Sequence, residues 1–313
     1  MRNRQIGMWL YQNCGGDQIQ EKIVNKLKER EINTITGLNL GKAIVSNGDI
    51  RCDDKGNCTH SLSSDIDLLF SYNAGESSHY QTYLYQALSK IIPLINNYES
   101  YNLTEDKFQT SFLLKNSGIA TAEYELCYRD DQRHLEAVIN KWPKMVCKPT
   151  NGWGGSGLTK IDNDASLDML MLTLKQINLK NIYIEKFVDY DNTDYRVDIV
   201  DGEFVSCYGR RAKDGGWKTN ITSGGSIFLR EPNDDVVNLA LEATKITGLE
   251  ISGVDIIYDR EKEKYIILEV NGIPAFATPE QERLGLNFND KKIDLIVNMI
   301  DRITLGDYHE KSA

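Results

Sequence analysis

The chain is poor in the residues that build metal and redox centres. Its four histidines are not paired at metal-ligand spacing, and its six cysteines include no Cys-x-x-Cys pair. That leaves no zinc or haem reading and points to reduced thiols. Cys52 and Cys58 bracket a turn, where a disulfide or half of a metal site is the minor alternative. No run of 18 apolar residues occurs, and the segment after Met1 is polar, so neither a membrane span nor a signal peptide is expected. Positive charge is also in deficit: 36 basic residues against 46 acidic ones leave a formal charge of −10. A nucleic-acid surface or a polybasic membrane contact is therefore not expected, and a cytoplasmic location is the natural one. The sequence also lacks internal repeats, low-complexity tracts and long linkers.

At 313 residues there is room for about two or three compact domains with substantial cores. Ile6 to Tyr11 reads as a first strand, Asn13 to Asp17 as the loop after it, Gln18 to Arg30 as a helix and Thr34 to Leu40 as a second strand. This β-α-β start predicts a parallel sheet. Gly41 to Leu62 reads as a polar hairpin region with turns at Asn47-Gly48 and Asp54-Lys55-Gly56. Leu68 to Phe70 follows as a strand, and Tyr80 to Ile92 as a helix stopped by Pro93. Late in the chain Ile293, Ile296, Val297, Ile300 and Ile303 recur at helical spacing, the mark of one buried face.

The most informative pattern is Gly253-Val-Asp255-Ile-Ile257 followed, after a polar turn, by Ile267-Leu-Glu269-Val-Asn271. Side chains alternate across a strand, so Glu269 and Asn271 share a face, and pairing of the two strands brings Asp255 to it. Two carboxylates and an amide suit Mg2+, which takes oxygen ligands shared with substrate phosphates. Two edge strands with wet polar faces are the alternative, yet Asp and Asn are poor strand formers and want a reason.

A second pattern runs from Lys144 through Lys148-Pro149 into a loop with glycines at 152, 154, 155 and 157. Glycines let backbone N–H groups turn toward an anion, and Lys148 closes the strand just before them. The spacing is neither that of a P-loop nor that of a dinucleotide fingerprint; a plain glycine-rich hairpin is the alternative. Thr104 reads as an N-cap and Gly118 as the stop of a helix with Lys107 in its first turn, where a cation opposes the helix dipole. Function or simple solvation would each account for that lysine.

Taken in order, these segments resemble the ATP-grasp superfamily, specifically its RimK-like carboxylate–amine ligases of the α-L-glutamate ligase type. The carriers are Asp106-Lys107-Phe108, Lys148-Pro149 with the glycine loop, Glu185-Lys186-Phe187, Asp194-Tyr195-Arg196, the run from Gly209 to Asn220, and Asp255 with Glu269-Val-Asn271. The resemblance covers about residues 96 to 275 well and the flanks loosely. It implies an α/β fold, α+β in its ATP-binding half, with an N-terminal parallel α/β domain at 1–96. The two ATP-grasp subdomains would then span 97–183 and 184–313.

It also implies a division of labour. Lys107, Lys148 and the loop residues Gly154, Gly155, Ser156 and Gly157 would meet the phosphates of ATP. Glu185, Lys186 and Phe187 would form the hinge whose backbone bonds adenine, with Glu185 near the exocyclic amine or ribose. Asp194 would touch the ribose, and Arg196, on the same face, would point into the site. Asp255, Glu269 and Asn271 would hold one or two Mg2+ ions, with Mn2+ as a substitute. Arg210, Arg211 and Lys218 would hold an acyl phosphate or an anionic substrate, and Asn220 would help to position it. Residues 212–226, with four glycines, read as a mobile cover or an ordinary solvated hairpin loop.

Such ligases activate a carboxylate as its acyl phosphate, release ADP, and let an amine attack the acyl carbon. L-glutamate is the expected amine and a cofactor, small molecule or peptide carboxylate the acceptor; a homo-oligomer is left open. A ligase making a dipeptide or peptide natural product is the first alternative, and a nucleotide-binding protein without catalysis the second. The chain departs from the family at Lys218, where arginine is more usual. It departs again in Ser71 to His79, which lacks the expected cation and offers Asn73, Glu76 and His79 as candidate acceptor contacts. On sequence alone, Asp255→Ala and Glu269→Ala are expected to abolish turnover and leave the fold intact.

Overall fold

The computed structural model describes residues 4–11, 15–73, 78–152, 154–176 and 178–306. Its first layer is the expected parallel sheet. Strands Arg4–Leu10, Ile32–Thr36, Leu68–Tyr72 and Leu94–Ile95 lie in the order second, first, third, fourth, all parallel. The crossover helix Gly16–Lys28 starts two residues earlier than the sequence suggests and buries Ile19, Ile23 and Leu27 at fourfold spacing. The polar region after it is a three-stranded antiparallel sheet, Ile44–Ser46, Asp49–Asp53 and Thr59–Ser61. Its first turn places Asn47 and Gly48 at φ of 52° and 83°, the left-handed pair that a two-residue hairpin needs. Cys52 is buried and Cys58 exposed, and both are free thiols, so the disulfide alternative falls. The helix predicted over Tyr80 to Ile92 is shorter, His79–Leu88, and begins with a Ser78/Gln81 capping box.

Two short helices lead into the second half. Thr104 is not the N-cap the sequence suggests: it ends the helix Tyr98–Thr104 and turns its hydroxyl back onto the Ser100 carbonyl at 2.9 Å. The next helix is Lys107–Asn116, capped by Asp106, whose carboxylate accepts the Gln109 N–H at 2.8 Å. Lys107 is thus the first helical residue. Gly118, at φ of 83°, follows the helix end as expected.

A small antiparallel sheet orders its strands Thr159–Ile161, Met145–Lys148, Asn181–Lys186 and Tyr124–Tyr128. Helices Gln132–Lys141 and Asp164–Gln176 cover it, burying Leu135, Val138, Leu170 and Leu174. A larger antiparallel sheet runs Ser226–Phe228, Glu203–Arg211, Thr193–Val200, Ile251–Asp259 and Lys264–Asn271. One face is apolar: Tyr195, Val197, Val254, Ile256 and Ile267 pack with Val236, Ala240 and Ala243 of helix Asp234–Thr247. The other face carries the charges that form the site.

Three observations describe how the layers join. The hinge strand Asn181–Lys186 stays in the small sheet through Lys186. Leu114 and Ile119 belong to the core of the large sheet, not to that of the small one. The last helix, Asn289–Thr304, buries Ile293, Ile296, Val297, Ile300 and Ile303 as its spacing predicts, but it does so against the first helix and first strand, in one core with Ile6, Met8 and Ile23. Among the described residues no helix is long and apolar enough to cross a membrane.

Candidate active site

The polar face of the large sheet is built by strand register. Asp194 pairs with Arg210, Arg196 with Asp255, and Asp255 with Glu269, so five charged residues from four adjacent strands share one surface. They form alternating ion pairs. Arg196 grips Asp255 with both Nε (2.5 Å) and Nη2 (3.1 Å). Arg210 reaches Asp255 Oδ2 at 2.7 Å and forks onto Asp194 at 2.9 and 2.6 Å. The hydroxyl of Thr219 closes the row on Asp194 at 2.5 Å. Burial pushes the Asp255 carboxyl up, and the two arginines more than reverse it, so it stays charged below the usual aspartate range. Asp194 is fully engaged in this row, so its carboxylate faces Arg210 and Thr219 here, not an open ribose site.

The expected phosphate-binding lysines are paired too. Lys107 Nζ lies 2.8 Å from Glu269 Oε1 and 2.5 Å from the Gly152 carbonyl. Burial lowers its pKa and Glu269 outweighs that, leaving it raised. Lys148 Nζ lies 2.5 Å from Glu185 Oε2, while Glu185 Oε1 accepts the Tyr183 hydroxyl at 2.9 Å. Burial and the Glu185 charge push the Tyr183 hydroxyl pKa far up, so it remains a donor. Lys186, next along the hinge strand, points the other way and pairs with Glu261 at 2.7 Å.

The glycine loop and the cover touch each other. Lys218 donates to the Gly155 carbonyl at 3.1 Å and Thr222 to the Gly154 carbonyl at 2.5 Å. Gly154 and Gly155 sit at φ of 66° and 74°, and a Cβ on either would come within 2.7 Å of Thr222 or Asn220. Only glycine allows that approach. Gly157 backs onto Pro149, and Ser156 is exposed between them. Arg211, like the Lys186 side chain, is set apart from the other predicted site residues: it alternates away from Arg210 and stacks over Phe228 at 5.0 Å, exposed on the opposite face.

Beneath the cover, a narrow cleft is walled by Val146, Leu158, Phe187, Val188, Ile257 and Leu268. Trp217 closes it, edge-on to Phe187 at 5.8 Å. The N–H groups of Lys186 and Phe187 are already donated, to the carbonyls of Glu123 and Lys144 at 2.8 and 2.9 Å. The Val188 N–H has no recorded partner among the described residues. It is the backbone donor left for a ring nitrogen, one position beyond the segment the sequence singled out. Apolar walls with one open donor fit a flat heteroaromatic base.

The candidate donor set for a divalent ion is Asp255, Glu269 and Asn271. Asn271 donates through its amide nitrogen to the Gly253 carbonyl at 3.3 Å, and its Oδ1 has no recorded partner among the described residues. Two carboxylates and an amide oxygen are hard donors of the kind Mg2+ takes, so the residues fit the ion. Among the described residues, no three His, Cys, Asp or Glu side chains stand as a preformed metal cluster. The carboxylates are held by Arg196, Arg210 and Lys107 instead.

A second, much wider cleft of about 1030 Å3 opens between the first domain, the two short helices and the outer side of the glycine loop. Asn73 and His79 line it; Glu76 lies outside the described residues. Trp9, Tyr85, Tyr98 and Tyr101 line it as well, and no sequence motif announces them.

Residues 104–299 match the family model described as the RimK-like ATP-grasp domain. The chain belongs to the RimK-like ATP-grasp family. It is 26% identical to the tetrahydromethanopterin:α-L-glutamate ligase of Methanocaldococcus jannaschii over 245 residues, covering 77% of this chain and 82% of that protein. It is 28% identical to the α-aminoadipate–LysW ligase LysX of Saccharolobus solfataricus over 240 residues, covering 74% and 82%. In fold it is similar to the D-alanine–D-alanine ligase of Bacillus anthracis, with a TM-score of 0.66 at 17% identity, covering 97% of this chain and all of that one. The ATP-grasp architecture thus accounts for the two antiparallel sheets with the narrow cleft between them.

Proposed function

We propose that the protein joins a carboxylate to an amine at the expense of ATP, through an acyl phosphate, with L-glutamate as the amine. The observation that carries this reading is the convergence of Lys107, Lys148, Asp255, Glu269 and Asn271 beside a glycine loop, next to an apolar cleft with a free backbone donor. The names of the relatives, which include glutamate ligases, support the choice of amine.

Each group has a task in such a reaction. Lys148, oriented by Glu185 and Tyr183, and Lys107 neutralise charge on the phosphates of ATP. Asp255, Glu269 and Asn271 would hold Mg2+, which when bound supplies further neutralisation at the transferring phosphoryl group. Arg196 and Arg210 fix Asp255 in place, and the cover residues Lys218 and Asn220 close the glycine loop and exclude water from the activated acyl group. The five described free thiols support a reducing, cytoplasmic setting.

The test is mass spectrometry of a small-molecule extract from the source organism, incubated with enzyme, ATP, Mg2+ and isotope-labelled glutamate. A new labelled species formed with stoichiometric ADP is the expected result. ATP consumption that needs a different amino acid would retain the ligase and overturn glutamate. ATP binding without turnover under any amino acid would overturn the ligase.

A further inference from the structure

The wide cleft has a charge and surface character of its own. No lysine or arginine lines it among the described residues. Its charged groups are Glu105 and Asp106, both acidic; His79 is the remaining titratable base. Nearby cations are engaged elsewhere: Lys107 on Glu269 and the Gly152 carbonyl, Lys218 on the Gly155 carbonyl. Asp106 spends one oxygen on its helix cap, and Glu105 is exposed at the cleft wall. Trp9, Tyr98 and Tyr101 line the same cleft, Tyr101 one helical turn before Glu105, with Tyr85 edge-on to both tyrosines at 6.3 and 5.8 Å.

We infer that the carboxylate substrate held in this cleft has a cationic body with an aromatic or apolar surface, and is not a polyanion. The inference rests on the ligase reading, which makes this cleft the place next to the glycine loop where the acceptor lies. Two carboxylates attract an ammonium or guanidinium group and repel a second acidic group. Trp9 and Tyr101, half-buried at the wall, add cation–π and stacking contacts to the same kind of ligand, while Tyr85 and Tyr98 are buried. A volume of about 1030 Å3 leaves room for more than a single amino acid beside the reacting carboxylate. Ser71 and Asn73, both uncharged, line the wall contributed by the first domain, so no cation there offsets the two carboxylates.

Two tetrapeptides with the same C-terminal carboxylate test it: acetyl-Lys-Tyr-Lys-Ala and acetyl-Glu-Tyr-Glu-Ala, each titrated calorimetrically into the full chain with Mg·ADP. The lysine peptide is expected to bind at least about tenfold tighter at low salt, with the margin shrinking in about 0.5 M salt. Glu105→Gln is expected to cut the margin severalfold while Mg·ADP binds unchanged. Equal or tighter binding of the glutamate peptide, or no binding of either, overturns the inference. A third arm, tyramine, carries the cation and ring without a carboxylate. If it equals the lysine peptide, the cation belongs to the amine substrate, and the assignment to the acceptor is overturned. Failure of Mg·ADP to bind would instead sink the ligase reading, so the two failures are distinguishable.

Discussion

Arg210 places a single guanidinium nitrogen between two carboxylates: its Nη2 lies 2.6 Å from Asp194 and 2.7 Å from Asp255. A residue expected to hold substrate is therefore also the counter-ion of a residue expected to hold metal. That double duty changes what substitutions at the site should do.

Asp255→Ala is expected to abolish turnover and also to lower stability by about 3–5 kcal/mol, because it leaves Arg196 and Arg210 buried with too little negative charge. The sequence-based expectation of an intact fold is revised for this residue. Urea titration checks it; a wild-type midpoint would contradict the ion-pair row. The pH dependence follows. Asp255 is held below its unfolded value, so its contribution is complete above the unfolded aspartate pKa of about 3.9 and is lost only as pH falls through the lower folded value.

Lys148→Met is expected to reduce ATP turnover by about two to four orders of magnitude. Glu185 keeps its hydrogen bond from Tyr183 but loses its buried counter-ion, so a loss of stability is expected alongside the loss of rate. Steady-state kinetics with circular dichroism on the same preparation separate the two effects. Turnover within about threefold of wild type would remove Lys148 from the phosphate site.

Trp217→Ala is expected to weaken ATP binding by about tenfold, since it removes the lid of the narrow cleft and its contact with Phe187. Fluorescence titration with a nucleotide analogue reads the loss. An unchanged Kd would make the cover irrelevant to the base.

Burial pushes the Cys147 thiol up to about 12. At pH 8 its thiolate fraction is then about one in ten thousand, whereas Cys58 is exposed in a turn. Iodoacetamide followed by peptide mapping should label Cys58 in the folded protein and Cys147 only after denaturation. Comparable labelling of both would contradict the packing of the small sheet.

Alternation and spacing made a good part of this legible. Placing Glu269 and Asn271 on one face needs only the period of a strand, with the pairing of two neighbouring strands adding Asp255, and the buried stripe of the last helix needs only the period of a helix. What could not be read is which charge meets which. Arg196 reaches Asp255 across 59 residues of sequence, and register is a property of the assembled sheet. Thr104 and Asp106 are both capping residue types two positions apart, and only the short helix ending at Thr104 decides between them. The aromatic wall of the wide cleft was invisible for a similar reason. Trp9, Tyr85 and Tyr98 come from separate elements, and each looks like an ordinary core residue until the elements are docked.

The last helix completes the core of the first domain, with Lys22, Lys26 and Arg4 tied to Asp290, Asp294 and Asp301. On the ribosome the N-terminal sheet therefore emerges long before the surface that seals it. Ile6, Met8 and Ile23 wait for the helix Asn289–Thr304 to be translated. The first sheet keeps an open apolar face until that helix arrives, and a product lacking 289–304 should be marked as unfinished along its oldest, not its newest, segment.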